Sequence, residues 1–176
     1  MKLYYTNTAG IDKPQQKASQ SLGGFKSSSP IQNSAFGNLF SDVSLLTIEK
    51  NLPEYIGVIL INERSNPVSN VKIWMNLPEE GVGKFKVAVV ELNSRNEMEM
   101  LPSINSKPLF ADFYSVNSEG EAIIIPDMQI NEQYGLWIER SIDTSLITDI
   151  QNCSTSFNGQ TIEEVDFKIS FTDVEG

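Results

Sequence analysis

The stretch Glu54-Tyr-Ile-Gly-Val-Ile-Leu-Ile-Asn-Glu63 constrains this chain more than any other. From Ile56 to Ile61 every side chain except that of Gly57 is a branched aliphatic, a run too short for an ordinary helix and too β-branched to favour one. It predicts a central strand buried on both faces. After a Ser65-Asn66-Pro67 turn, Val71, Ile73 and Met75 alternate with Lys72, Trp74 and Asn76. That second strand therefore turns one face to the core and leaves the other at least partly wet. Together the two predict a hairpin on which other strands pack.

Further strands are expected at Lys84–Leu92, Leu109–Val116, Glu121–Ile125, Tyr134–Ile142 and Glu164–Phe171, separated by turns such as Pro78–Gly83 and Asn117–Gly120. The last alternates most cleanly, with Val165, Phe167, Ile169 and Phe171 on one side and Asp166, Lys168 and Ser170 on the other. Residues 143–163 are mostly polar, and Leu146, Ile147 and Ile150 allow a single helical turn at most. Seven or eight short strands without a useful helix-period segment predict an all-β fold, an antiparallel β-sandwich of jelly-roll or Ig-like kind. The connection 93–108 is long for a compact domain, and its Met98, Met100 and Leu101 suit either a flap over the core or adaptable contacts to a partner.

Residues 1–35 have another texture. Polar runs such as Thr6–Gly10, Lys13–Lys17 and Ser27–Pro30 are interrupted only by Leu3, Tyr4, Tyr5, Ile11, Leu22, Phe25 and Ile31, too widely spaced for a core of their own. This predicts an extended N-terminal arm over 1–35 and a β-sandwich domain over 36–176. The arm's apolar residues persist to its end, as they would on a neighbouring surface. Tyr4, Tyr5, Leu22 and Phe25, with Met98, Met100 and Leu101, are therefore the candidate inter-subunit contacts.

At 176 residues the chain can bury a core without staples. Cys153 is alone and so has no intramolecular disulfide partner, and the first residues lack the apolar run of a signal peptide or membrane span. Assembly in a reducing cytosol and no membrane association are the expectations. There is no histidine, which excludes Ser-His-Asp and Cys-His catalysis and makes a zinc site improbable. No catalytic, cofactor-binding or metal residue is assigned, and the chain is read as a non-enzyme without cofactors. A net charge of −10 opposes adhesion to a phosphate backbone, so no sequence-specific nucleic-acid binding is expected. The acid pairs Glu79-Glu80 and Glu163-Glu164 point to opposite faces of an extended chain and do not make a facing pair. Asn117–Glu121 lacks the spaced ligands of a calcium loop. Trp74 and Trp137 would stack on sugars only if both faced solvent side by side. Asn152-Cys153-Ser154 matches a glycosylation acceptor by a pattern that chance supplies often. Leu22-Gly-Gly-Phe25 follows no strand and opens no helix, so it is no phosphate loop.

Three blocks carry a resemblance. Ser21-Leu-Gly-Gly-Phe-Lys-Ser-Ser28 runs on through Ile31-Gln-Asn33 to Asn38–Ser44; a strand opens at Glu54-Tyr55 and ends at Asn62; and Leu136-Trp137-Ile138 is followed by Arg140. In this order they resemble small structural proteins of tailed-bacteriophage particles, in particular neck and tail components of crAss-like phages. The long 93–108 connection and Gly57 depart from that pattern. The resemblance implies a virion structural subunit, an oligomeric ring or tail hub protein, assembled in the host cytoplasm and located in the tail or neck. Its partners would be further copies in a homo-oligomer ring and other phage neck and tail proteins. Capsid decoration and a carbohydrate- or receptor-binding module are the alternatives.

Overall fold

Glu54–Ile61 forms a strand with every residue buried, as its aliphatic run predicts. The computed structural model describes residues 1–15, 17–32, 39–40, 48, 50–76, 83–143 and 166–174. Its strands are β1 (Lys2–Asn7), β2 (Gly24–Pro30), β3 (Glu54–Ile61), β4 (Val68–Asn76), β5 (Gly83–Val90), β6 (Glu97–Met98), β7 (Tyr114–Ser115), β8 (Ile123–Ile125), β9 (Gln133–Ile142) and β10 (Asp166–Asp173). They form a seven-stranded sheet in the order β6-β2-β1-β3-β9-β5-β7 and a three-stranded sheet in the order β10-β4-β8. All pairings are antiparallel. The protein is all-β and sandwich-like, as expected. The expected turn at 78–83, most of the Asn38–Ser44 block, the polar segment with Cys153 and both acid pairs fall wholly or mainly outside the described residues.

The expected hairpin of β3 with β4 does not form, because the two strands belong to different sheets. Asn62, fully buried just after β3, explains the crossing: its side-chain amide donates to the carbonyls of Asn66, Met128 and Gln129. It thereby satisfies the backbone where the chain leaves one sheet for the other, and β4 pairs instead with β10 and β8. Within β4 the expected alternation holds, with Val71, Ile73 and Met75 buried and Lys72 and Trp74 half-buried. Ile56, Val58 and Leu60 of β3 meet these residues, with Leu136 and Ile138 of β9, in the core between the sheets. Phe167, Ile169 and Phe171 of β10 pack against the same core. Each fully buried aliphatic there stabilises the fold by roughly 1.5–3 kcal/mol before conformational entropy is counted.

The opposite face of β3 is buried in a second cluster of Tyr55, Ile59, Ala88, Met98, Leu101 and Trp137. What closes it is the sheet itself. In strand order β6 stands four places from β9, yet a Cβ added to Gly135 of β9 would lie 2.9 Å from the Met98 side chain of β6. The larger sheet has therefore curled until one edge covers its own middle. A register shift between Tyr4 and Thr6 supplies part of that bend.

The N-terminal fifth corrects the sequence reading. The described residues of 1–35 do not stand apart as an arm: β1 pairs along β3 from Lys2 opposite Ile61 to Tyr5 opposite Val58, and β2 pairs with β1. Four of their polar residues, Thr6, Asn7, Ser21 and Ser27, are interior rather than solvated. Thr6 and Ser21 are fully buried; the Ser21 hydroxyl donates to the Gly57 carbonyl at 2.6 Å, the Thr6 hydroxyl to the same oxygen at 3.1 Å, and the Gly23 amide donates to Thr6 Oγ1 at 2.9 Å. Asn7 caps the following turn, its Oδ1 accepting from the amides of Ala9 and Gly10. Gly57 lies beneath this crossing, where a Cβ would meet Trp137 at 3.0 Å and the Gly23 nitrogen at 3.2 Å.

Candidate interaction surface

The residues expected to contact neighbours are for the most part already used within the chain. Tyr4, Tyr5, Met98 and Leu101 are buried, and Leu22 packs on the second cluster with its carbonyl accepting from the Leu101 amide at 2.8 Å. Phe25 is half-buried, in register with Glu97 and beneath the Arg95 guanidinium at 5.6 Å. Only Met100 is exposed. Of the two readings of the 93–108 connection, the flap over the core holds for Met98 and Leu101, which cover Trp137 together with β6. Trp137 is itself buried, and Trp74 lies in the other sheet, so the two do not form a sugar-stacking platform.

Two tyrosines of this group are held protonated. The Tyr4 phenol donates to Glu63 Oε1 at 2.6 Å, and that bond together with burial pushes its pKa up to about 12. Glu63 also pairs with Lys2 at 2.7 Å, and the bonds from Lys2 and Tyr4 hold its carboxyl below the usual range. Burial raises the Tyr5 phenol.

Charged groups inside the larger sheet are paired across strands. Glu54 and Arg140 face each other in the β3–β9 register; Arg140 Nε donates to Glu54 Oε2 at 2.9 Å, and its Nη2 makes a shorter bond to the same oxygen. The guanidinium lies 4.5 Å from the Phe40 ring centroid, and Phe40 meets Phe85 edge-on. One residue along, Tyr55 bonds Glu139, which pairs with Lys86 at 3.1 Å. Burial, with the Glu139 charge, drives the Tyr55 phenol far above its ordinary value. A shallow depression of ≈ 400 Å³ opens beside Tyr55 and Glu139, lined also by Asn51, Lys84, Ser141 and Asp143. Tyr55, Glu139 and Lys86 are already bonded to one another beside it.

The surface that stands out lies at the other end of β5. Leu109 and Phe110 are 78% and 84% exposed, adjacent large apolar residues on a segment ordered by its own contacts. Glu99 Oε2 accepts from the Leu109 amide at 2.9 Å, and Phe113 packs on Tyr55 with ring centroids 5.5 Å apart. Tyr114 and Met100 are also exposed, at 60% and 44%. Beneath Phe110 is a groove of ≈ 580 Å³ walled by Val89, Val90, Met98 and Trp137, with Glu91, Glu97 and Glu99 around it. Sequence reading missed this surface because Leu109–Val116 reads as one strand. The signal was Pro108, which withholds a backbone donor and leaves Leu109-Phe110 outside any ladder; only Tyr114 and Ser115 pair.

Among the described residues no group of three or more metal-ligating side chains is brought together. In the loop weighed for calcium, Glu121 Oε2 accepts from the Asn117 amide at 3.2 Å and so closes the turn. No helix among the described residues is long and apolar enough to cross a membrane. What the fold defines is an all-β protein with a curled sheet and an exposed apolar ridge. No family model, curated protein or solved structure matches the chain.

Proposed function

We propose that the chain is a non-catalytic structural subunit of a tailed-phage virion, a ring or hub protein of the neck and tail that works by binding its neighbours. The observation that carries the binding role is the Leu109–Phe110 ridge. Two adjacent large apolar side chains, four-fifths exposed on an ordered segment, are the kind of surface that marks an interaction site rather than a random exposed residue. The phage particle and the neck and tail location come from the sequence resemblance. The contact itself moves from the N-terminal residues, consumed in the sheet, to the ridge at Leu109 and Phe110. Burying Leu109 and Phe110 on a neighbour would contribute about 1.5–3 kcal/mol each.

The test is incorporation. A Leu109→Ser/Phe110→Ser variant should keep the wild-type melting temperature, because neither side chain supports the core, and should be absent from assembled particles of the phage that carries it. Normal incorporation of the variant would overturn the role given to the ridge, and absence of the wild-type protein from purified particles would overturn the virion reading.

A further inference from the structure

β5 pairs with β9 along its whole length, from Gly83 opposite Ile142 to Val90 opposite Gly135. On its other side β7 reaches only Lys86 and Val87. Had the chain kept register, Phe113 would stand opposite Ala88 and Ala111 opposite Val90. Instead residues 110–113 make no ladder with β5, and Ala111 and Phe113 pack on the second cluster, Phe113 against Tyr55. Among the described residues no strand covers this side of β5 from Ala88 to Val90. An uncovered strand edge presents a row of backbone donors and acceptors to any extended chain beside it.

At this end of β5 lies the ≈ 580 Å³ groove, whose apolar walls include Val90, Met98, Phe110 and Trp137. Its charged lining is of one sign: Glu91, Glu97 and Glu99, with no lysine or arginine. Glu97 Oε1 is served by Asn93 Nδ2 at 3.0 Å and by Arg95 at 3.5 Å, but Oε2 is buried without a hydrogen-bond partner. A buried carboxylate oxygen lacking a donor is unfavourable, and a cationic donor beside it removes that penalty. The chain as a whole carries −10.

We propose that this groove binds an extended peptide segment of a partner protein in which lysine or arginine alternates with apolar residues, added as a strand to the open edge of β5. Successive side chains of such a strand point to opposite sides. Apolar residues enter between Val90 and Phe110, and the intervening cations meet the three glutamates. A cationic apolar strand satisfies the edge, the groove and the charge together, whereas an acidic strand would meet like charge. The inference does not rest on the virion reading, since the groove's chemistry is the same in any assembly.

The probe is a capped hexapeptide of alternating lysine and valine, titrated into the full-length protein and followed by two-dimensional amide NMR. Saturable binding is expected, with shifts confined to β5, residues 97–99 and residues 109–113. One isomer and two analogues serve as controls: three lysines followed by three valines, the alternating peptide with N-methylated valines, and the glutamate-valine counterpart. Each should bind at least about tenfold more weakly, as should the alternating peptide to Glu91→Gln/Glu97→Gln or Phe110→Ala. Equal affinity for the blocked isomer would show attraction to net charge alone and overturn the proposal. So would shifts elsewhere on the surface, or no saturable binding. Failure here leaves incorporation into particles untouched, so the two readings fail separately.

Discussion

The Glu54–Arg140 pair shows how this core admits charge. Both side chains are about nine-tenths buried, so each has given up most of its hydration, and the loss is offset by two hydrogen bonds to one carboxylate oxygen and by the Phe40 ring against the guanidinium. Arg140→Met should therefore cost about 3–5 kcal/mol, because Glu54 is left charged without a partner, while Glu54→Leu/Arg140→Met should recover most of it. Urea denaturation of the two variants decides this; a double variant as unstable as the single would show that the pair stabilises rather than breaks even. Tyr4 makes a different prediction. Its folded pKa, pushed up to about 12, lies above the ordinary tyrosine value, so the folded state holds the proton more tightly. Its contribution is complete below about pH 10 and is lost as pH rises through about 12. Glu63, with its pKa lowered, contributes in the opposite sense: present above the ordinary carboxylate value and lost as pH falls through the folded one. Tyr4→Phe should thus flatten the alkaline decline in melting temperature between pH 10 and 12, less the share of Tyr5, Tyr55 and Tyr134, which are raised mainly by burial. An unchanged alkaline slope would refute the assignment.

At the scale of the element, the N-terminal strands hold the curled sheet closed. Gly23 and Gly24 have φ of +89° and +88°, and a Cβ at Gly23 would sit 1.7 Å from the Glu99 carbonyl oxygen. Gly23→Ala should destabilise by more than the roughly 1 kcal/mol that a left-handed backbone alone costs, since residue 99 must also move. Deleting residues 1–30 goes further, stripping β1 from the whole length of Tyr5 to Lys2 along β3 and leaving that buried strand as an edge. The truncated chain should be insoluble or lack a cooperative melt by circular dichroism; a soluble, cooperatively folding body would restore the arm. Legibility at this scale followed periodicity. β3, the face of β4, β9 and β10 were readable because their alternation or aliphatic density reflects burial directly. β1 and β2 were not, because Thr6, Asn7, Ser21 and Ser27 are buried polar residues satisfied by backbone groups, for Thr6 and Ser21 the distant Gly57 carbonyl, and composition alone reads such residues as solvated. The β3–β4 hairpin was misread because a turn signal shows that the chain reverses, not which sheet it enters. The ridge was hidden for a related reason: Leu109 and Phe110 look like strand residues until the pairing partner is known.

At the scale of the whole molecule, two apolar clusters lie on opposite faces of one sheet, and it matters whether they are independent. Trp137 belongs to the cluster inside the curl, while Trp74 packs against the one between the sheets. β3 gives Tyr55 and Ile59 to the first and Ile56, Val58 and Leu60 to the second, and β9 divides Trp137 from Leu136 and Ile138 in the same way. Neither cluster can dissolve without freeing one face of both strands, whose backbone bonds are shared. Melting the curl alone would expose Tyr55, Ile59, Trp137 and Met98 while the sheet beneath kept its shape, forfeiting about 1.5–3 kcal/mol for each side chain. The two clusters should therefore unfold in one transition despite their separation. The two tryptophans test this. Trp74→Phe leaves Trp137 as the sole reporter of the curl, and Trp137→Phe leaves Trp74 to report the space between the sheets. In each variant the urea midpoint by tryptophan fluorescence should coincide with that by far-ultraviolet circular dichroism. The Trp137 variant should have the lower midpoint, because its side chain is fully enclosed and leaves the larger void. If fluorescence in the Trp74→Phe protein changes well before the dichroism, the curl is a separate unit resting on a stable sandwich, and β6 with its flap opens independently of the rest.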